Sequence, residues 1–439
     1  MDLLECLFMK NETPSLSGKD IEVGLSGGLD SVVLLHMLSR LRQQHGFSLR
    51  AVHVHHGLSP NADDWAEFCL DYCNRLSIPI RIAHVRVKKG NSGIEAAARA
   101  ERYRVFSDGL SDILALAHHQ DDQVETFMLA VVRGGGLRSL AAMPQQRDLN
   151  TETKIWRPLL PFTRSDLQHY AGLHHLDFIE DESNKDSAYL RNWLRNEALP
   201  AWRGRIPYFD RHILSNIRSL QEDLELLDEI VRQDYEFVHG GGRFSVAKWR
   251  NLGSRRRRHV LRHFVLQHGL GTPSQSSISD FERVLMESDK AEWKLPAGTV
   301  YSYRGSLFPL LRQKMDKISK SEGKVIRGRL KDILLDNGFV LQPSPFGLSE
   351  ELLAQEGIVR NMNNNDVIKL DCGTKPVKKV LQEYHILPLV RKSWPIIINA
   401  DKECVAVANL RAGVDFQVEN GVIPVFFEYQ EYITELNYK

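Results

Sequence analysis

One short run constrains the fold more than any other. The apolar stretch Ile21-Glu22-Val23-Gly24-Leu25 leads directly into Ser26-Gly27-Gly28-Leu29-Asp30-Ser31, and Val32-Val33-Leu34-Leu35 follows at once. This order predicts a buried strand, a tight glycine turn and a helix. The glycines permit positive φ and close backbone approach, so successive N–H groups can turn toward an anion. The start of the helix adds its positive end, and Ser26 and Ser31 add hydroxyl donors. Asp30 would repel a bare phosphate, so its expected task is to hold a magnesium ion that bridges phosphate oxygens. A purely structural turn is the plain alternative. The spacing is neither G-x-x-x-x-G-K-[ST] nor G-x-G-x-x-G, which argues against P-loop NTPases and dinucleotide folds.

The first 130 residues alternate short apolar runs with amphipathic stretches, as βαβ units of a parallel sheet do. Strands are expected at 21–24, 50–55, 80–87 and 113–117, and helices at 31–44, 62–76, 94–110 and 121–133. Right-handed crossovers then bring the carboxyl ends of the strands to one edge, where ligands bind. Further helices are expected at 165–174 and 189–199. Pro200, Gly204 and Pro207 read as loop punctuation. Helical spacing returns at 211–238, 255–268 and 277–287. Short β-like runs at 394–398, 404–409 and 422–427, after a basic helix at 377–384, close the chain. The expected fold class is therefore α/β. Its domains are an N-terminal parallel-sheet catalytic domain over 1–215, a mostly helical middle domain with linker over 216–343, and a small α/β C-terminal domain over 344–439.

At 439 residues the chain exceeds the size at which one core keeps growing. No run of about 18 apolar residues is present, and the N-terminus lacks a signal peptide's basic and apolar regions, so no membrane role and a cytoplasmic location are expected. The five cysteines, Cys6, Cys69, Cys73, Cys372 and Cys404, are odd in number and scattered, as reduced thiols are. With a formal net charge of +1, any nucleic-acid footprint must be local. One candidate is the basic C-terminal segment with Lys375, Lys378, Lys379, Arg391 and Lys392. Lys248, Arg250, Arg255, Arg256, Arg257, Arg258 and Arg262 form a second run with no acidic residue between them. A solvated face is the plain alternative for each.

Several further motifs stand in fixed order: His53-Val54-His55-His56-Gly57-Leu58; Gly93-Ile94-Glu95 with Arg99 and Arg102; His118-His119-Gln120-Asp121-Asp122-Gln123-Val124-Glu125-Thr126; Arg157-Pro158-Leu159-Leu160; Glu180-Asp181-Glu182-Ser183-Asn184; and Arg191-Asn192-Trp193-Leu194-Arg195. With the Ser-Gly-Gly-x-Asp-Ser loop, which matches the PP-loop ATP pyrophosphatases, the set resembles the tRNA(Ile)-lysidine synthase family. Lys378-Lys379-Val380-Leu381-Gln382-Glu383 and Leu387-Pro388-Leu389-Val390-Arg391 extend the likeness toward the C-terminus. The resemblance implies attack on the α-phosphate of ATP, release of pyrophosphate, an adenylated tRNA and ligation of free L-lysine to C2 of the cytidine at the first anticodon position of an isoleucine tRNA. It leaves oligomeric state open. The alternatives are a PP-loop tRNA thiolation enzyme and a non-catalytic tRNA-binding protein. The chain departs from the family pattern at Gly135, where a serine is usual, and at Ser139 and Ala142, where glycines often stand.

The implied chemistry assigns roles. Ser26, Gly27, Gly28, Leu29, Asp30 and Ser31 bind ATP, and Asp30 is the Mg2+ ligand. A lysine ammonium wants carboxylates, and Asp121, Asp122 and Glu125 share a helical face at spacings of three and four; Asp122 and Glu125 are the chosen pair, with helix capping as the alternative. Arg99, one turn from Arg102, is placed against the charge that develops on the phosphates, with surface pairing to Glu95 or Glu101 as its alternative. His55 and His118 are the favoured acid–base or adenine-side histidines. Cys69 and Cys73 are read as buried thiols. Trp156, Trp193 and Trp202 can stack on RNA bases, although packing is commoner.

Overall fold

The computed structural model describes residues 14–87, 94–109, 111–181, 186–240, 242–314, 316, 325–430 and 432. It divides into two compact units, residues 1–227 and 228–439.

In the first unit β1 (Asp20–Gly24), α1 (Leu29–His45), β2 (Ser48–His55), α2 (Ala62–Arg75), β3 (Ile80–His84), α3 (Ile94–Ser107), β4 (Ile113–Ala115) and α4 (Gln120–Val132) follow one another as the hydrophobic pattern predicts. A short α5 (Leu137–Leu140) and the strands β5 (Gln146–Asp148) and β6 (Lys154–Trp156) complete a six-stranded sheet of order β3-β2-β1-β4-β6-β5. All pairings are parallel except β5 with β6. The chain runs outward from β1 through β2 to β3, then returns to place β4 on the other side of β1. That reversal makes the space above the carboxyl ends of β1 and β4 the topological switch point, where open α/β sheets bind ligands.

One face of the sheet is sealed by α1, whose Val32, Val33, Leu34, Leu35 and Leu38 are fully buried with Ile21 and Val23 of β1. On the other face Val105 and Phe106 of α3 pack with Val52, Leu114 and Ile155. β1 carries one charge into this interior: Glu22 is 1% exposed, and Arg81 of β3 meets it with two hydrogen bonds of 2.8 Å. Without that partner the carboxylate would be a buried, uncompensated charge.

The helix read as ending near Leu199 does not stop. After α6 (Arg164–Leu173) come α7 (Leu190–Trp193), a π turn (Leu194–Ala198) and α8 (Leu199–Arg205), which continue one another through Pro200 and Gly204. A proline ring clashes with the carbonyl four residues back in a regular α-helix; here the wider π turn directly precedes it. Pro200 and Gly204 are thus helical residues, not loop residues. α9 (Phe209–His239) then runs for 31 residues, across residue 215 and across the division between the units.

The second unit begins with helices, α10 (Val246–Arg250), α11 (Ser254–Gln267) and α12 (Gln275–Glu287), around Trp249, Phe264 and Leu285. The three-stranded antiparallel sheet β7 (Ala291–Leu295), β8 (Gly298–Tyr303) and β9 (Ser306–Leu311), which the sequence reading did not contain, packs into the same core. Beyond it β10 (Val325–Arg329) already pairs with β12 (Glu356–Asn361), and β11 (Phe339–Leu348) runs through residue 344. The C-terminal strands at Pro395–Asn399, Cys404–Val407 and Val422–Phe426 and the helix α15 (Val377–Glu383) lie where the pattern put them; α13 (Leu330–Asp336) and α14 (Glu350–Leu353) precede them. Among the described residues no helix is long and apolar enough to cross a membrane.

Candidate active site

The loop after β1 is built to leave its backbone open. Gly27 has φ +87°, and a Cβ there would lie 2.6 Å from Ile179 Cδ1 and 3.3 Å from Cys69 Sγ, so conformation and space both demand glycine. Ile179 donates its N–H to Gly27 O at 2.9 Å, clamping the loop from the far side. The Ser31 hydroxyl donates to Gly28 O at 2.9 Å and accepts from the Ser26 N–H at 3.2 Å. The Gly28 N–H donates to Ser26 Oγ at 3.3 Å. The six residues expected to bind the nucleotide therefore form one hydrogen-bonded turn at the start of α1. Gly28, at the N-cap, offers no side-chain cap to the helix, which leaves the first turn's N–H groups available to an anion.

Asp30 stands in that first turn, and its Oδ1 is buried with no hydrogen-bond partner. Burial raises its carboxyl above the usual range, against the opposing pull of His119 and Arg164. A half-buried carboxylate with one orphaned oxygen beside a phosphate loop has the chemistry of a Mg2+ ligand, since this ion takes one or two carboxylates and fills its sphere with phosphate oxygens and water.

Across the switch point the loop after β4 presents His118 and His119. The adjacent pair diverge. His119, 2% exposed, puts Nε2 3.6 Å from Asp30 Oδ2 and 3.5 Å from Asp122 Oδ2, with Nδ1 3.6 Å from Asp121 Oδ2. Burial opposes its charge, but the three carboxylates outweigh burial and raise its pKa. His118 goes the other way: burial, with Arg157, Arg191 and Arg99 nearby, pushes it down to about 3. His119, not the favoured His118, joins the phosphate loop to the carboxylates. His55 instead meets Asp63 at 2.9 Å and packs on the His84 ring at 4.6 Å.

Asp122 and Glu125 do share a face of α4, but neither waits unpartnered. Arg191 of α7 donates to Asp122 Oδ1 at 3.0 Å and to Glu125 Oε2 at 2.9 Å. Arg195, from the π turn, donates to Glu125 Oε1 at 2.6 Å and Oε2 at 2.9 Å, and to Asp122 Oδ1 at 3.4 Å. Asp122 also accepts from the His119 N–H at 3.1 Å, so the capping alternative is realised together with the ionic one. Asp121 is drawn aside by the Arg164 N–H at 3.0 Å and by Arg203 at 3.0 Å; the nearby His119, with these two, holds it far below the usual carboxylate range. Spacing along α4 points to lysine for these acids and names no partner for them within the protein. The signal available was complementary spacing: Arg191 and Arg195, four apart, match acids three apart.

Other expectations resolve individually. Arg99 is exposed and sits over Tyr103 at 5.2 Å from the ring centroid. Glu101, one of its suggested partners, pairs with Arg104 instead, and the Glu95 side chain lies outside the described residues. So do Cys6, Gly93, Glu182, Ser183 and Asn184. Cys69 and Cys73 are buried, and burial pushes them up to about 12 and about 11, far from the thiolates sulfur chemistry uses. Trp156 is core, Trp202 packs against Phe209, and Trp193 is 38% exposed.

The basic runs split by helical face. In the second run Arg250 binds Leu285 O and Asp289, Arg256 binds Asp234, and Arg257 binds Glu282 and Leu252 O. Arg255, Arg258, His259 and Arg262 recur at the spacing of one face of α11 and, with Gln275 and Ile278 of α12, line a cleft. In the C-terminal segment Lys375 pairs with Glu383 at 2.6 Å and Arg391 binds Ile386 O and the Tyr303 hydroxyl, while Lys378 and Lys379 are exposed on α15.

The departures at Gly135 and Ser139 are one feature. A Cβ at Gly135 would lie 2.8 Å from the Ser139 Cβ and 3.1 Å from Ala130 O. A side chain at 135 would crowd the one that this chain carries at 139. Ala142 takes φ +51°, where glycine is at ease.

Comparison with known proteins agrees with this organisation. Residues 6–202 match the PP-loop domain, 244–308 the TilS substrate binding domain and 358–425 the TilS substrate C-terminal domain. A tRNA(Ile)-lysidine synthase of Neisseria meningitidis serogroup B is 48% identical over 93% of this chain and 96% of its own length. That of Chromobacterium violaceum is 34% identical over 92% of this chain and 94% of its own. Among solved structures, the U34-tRNA thiolase NcsA from Methanococcus maripaludis with its [4Fe-4S] cluster matches at 19% identity and TM-score 0.41, over 50% of this chain and 80% of that one, a likeness too slight to bear on chemistry.

Proposed function

The chain belongs to the tRNA(Ile)-lysidine synthase family, and from that premise we propose that it uses ATP to ligate free L-lysine to C2 of the cytidine at the first anticodon position of an isoleucine tRNA, in the cytoplasm. The C2 carbonyl oxygen attacks the α-phosphate of ATP and pyrophosphate leaves. The lysine side-chain amine, having lost a proton, then attacks C2; the C2–O bond breaks and AMP departs with the former carbonyl oxygen, leaving lysidine.

The observation that carries this reading is the contact of Asp30 with His119 and of His119 with Asp122. It sets an anion-accepting turn and a carboxylate–guanidinium lattice side by side at the switch point. Ser26, Gly27, Gly28, Leu29 and Ser31 cradle the phosphates, and Asp30 with its orphaned oxygen holds Mg2+, which when bound neutralises phosphate charge. Arg99 offsets charge that develops on the leaving groups. Lysine is a zwitterion with a further ammonium, and the lattice of Asp122, Glu125, Arg191 and Arg195 suits it: its α-carboxylate takes a guanidinium and an ammonium takes a carboxylate, so existing ion pairs are exchanged and no buried charge is left alone. Residues 1–215 perform the chemistry in this reading, and 216–343 and 344–439 hold the tRNA.

Mass spectrometry of anticodon-loop fragments after incubation with ATP and labelled lysine tests the reaction. Addition of a whole lysine is expected; exchange of oxygen for sulfur would identify a thiolation enzyme, and pyrophosphate release indifferent to tRNA would remove both. For the RNA surface, the Arg255→Ala/Arg258→Ala pair should lower the slope of log affinity against log salt by up to about two units, by counterion release. An unchanged slope would return the role to Lys378 and Lys379.

A further inference from the structure

Beside the carboxyl end of β6 three arginines converge on one phenol. The guanidinium carbons of Arg99 and Arg147 lie 5.2 and 5.3 Å from the Tyr103 ring centroid, and Arg99 Nη2 is 3.5 Å from the Tyr103 hydroxyl. Arg147 and Arg157 both lie close enough to the same hydroxyl to act on its charge. Arg157 is 2% exposed; it gives one N–H to Pro144 O at 2.7 Å, while its Nε is buried with no partner. Among the described residues none of the three pairs with a carboxylate. This contrasts with Arg81, Arg191 and Arg195, each of which has an acid. Three like charges around a neutral hydroxyl, one of them nearly dry, repel one another and retain unspent donors. Burial alone would raise the Tyr103 hydroxyl, yet the arginines hold it below its ordinary value, which reports a positive field at that point.

We propose that Arg99, Tyr103 and Arg147, backed by Arg157, form a phosphate subsite distinct from the turn after β1. The inference rests on the reading above for its choice of ligands. The group bound is a phosphate, supplied by a phosphodiester of the tRNA strand beside the target base or by the triphosphate of ATP. Arginine forks suit either, because they can give paired hydrogen bonds to phosphate oxygens. β6 is two strands from β1, about 10 Å at the usual strand spacing, and two of these arginines, Arg99 and Arg157, act on His118 together with Asp122 and Arg191. An anion held here would lie at the rim of the lysine lattice.

Arg147 is exposed on the edge strand β5, so Arg147→Ala tests the subsite without touching the core, and Tyr103→Phe removes the hydroxyl that gathers the arginines. Equilibrium binding of ATP and of isoleucine tRNA to the full-length protein, the latter over a range of salt, reads the result without turnover. If the phosphate is the RNA's, Arg147→Ala weakens tRNA binding about fivefold to tenfold and lowers the salt slope by about one unit, with ATP affinity unchanged. If it is the nucleotide's, ATP affinity falls about tenfold and the tRNA slope stays. Wild-type affinity for both ligands in both folded variants would overturn the subsite. Loss of tRNA affinity in Arg147→Ala, with no lysidine from the wild type, would keep the subsite and reject the reaction.

Discussion

The two sides of the switch point are opposites. The turn after β1 has open valences: uncapped N–H groups, an orphaned Asp30 oxygen and glycine where a side chain would collide. The side built on α4 has its valences filled, with Glu125 held by both Arg191 and Arg195. The difference teaches that the two ligand types must enter differently. A phosphate can add to the first side, whereas an amino acid entering the second must take the place of contacts already made.

The sharpest way to break this contrast is Asp30→Ala. It should reduce tRNA-dependent ATP–pyrophosphate exchange by a thousandfold or more, on the order of 4 kcal/mol in the barrier, with tRNA affinity within a few-fold of wild type. Exchange at the normal rate would mean that the open side is a structural turn after all.

Glu125→Gln should act on the filled side. Adenylated tRNA should accumulate while lysine transfer falls roughly a hundredfold, about 2.7 kcal/mol, and thermal stability should drop because Arg191 and Arg195 lose their shared acid. A variant that keeps transfer and only melts earlier would reduce the lattice to a scaffold.

Titration separates the adjacent histidines. His119 has a raised pKa when folded, so its contribution is fully present below about pH 6.5 and is lost as pH rises through the folded value. His118 is held down to about 3, so its contribution is present above about pH 6.5 and is lost as pH falls toward that value. Melting temperatures from pH 4 to 9 should show His119→Gln flattening the alkaline limb and His118→Gln the acid limb. Flattening of the same limb by both would show that the pair does not straddle the two environments.

The smallest effect concerns the loop after α4. Gly135→Ser should cost about 1–3 kcal/mol from overpacking, and Ser139→Gly in the same molecule should recover most of it. Urea denaturation of the two singles and the double gives the coupling; additive losses would mean that the two departures are independent.

Much of the first unit was legible because strand and helix periods are distinct and the turn after β1 carries its own chemistry. Asp122 and Glu125 were legible as a face, since spacing alone sets that. Their neutralisation by Arg191 and Arg195 was not, because the partners stand 66 to 73 residues away and no local rule pairs them. Which of two adjacent histidines turns toward Asp30 depends on backbone direction after β4, which composition does not encode. Prolines concealed strands: Pro309 lies in the edge strand β9 and Pro343 at the register shift of β11, positions where a missing N–H is tolerated.

The π turn at Leu194–Ala198 has a consequence for how this region can vary. It amounts to one residue more than a regular helix needs, placed between Arg191 and the buried Ala198 and Leu199 that fix the next turns. Because the wider turn takes in the extra residue, losing one residue there would restore an ordinary helix with Arg191 facing nearly the same way relative to α8, but it would displace Arg195, which the turn itself carries, from Asp122 and Glu125. Composition would hardly change. Along these five positions both length and identity are constrained, since Leu194 is fully buried and Arg195 reaches the two acids from within the turn.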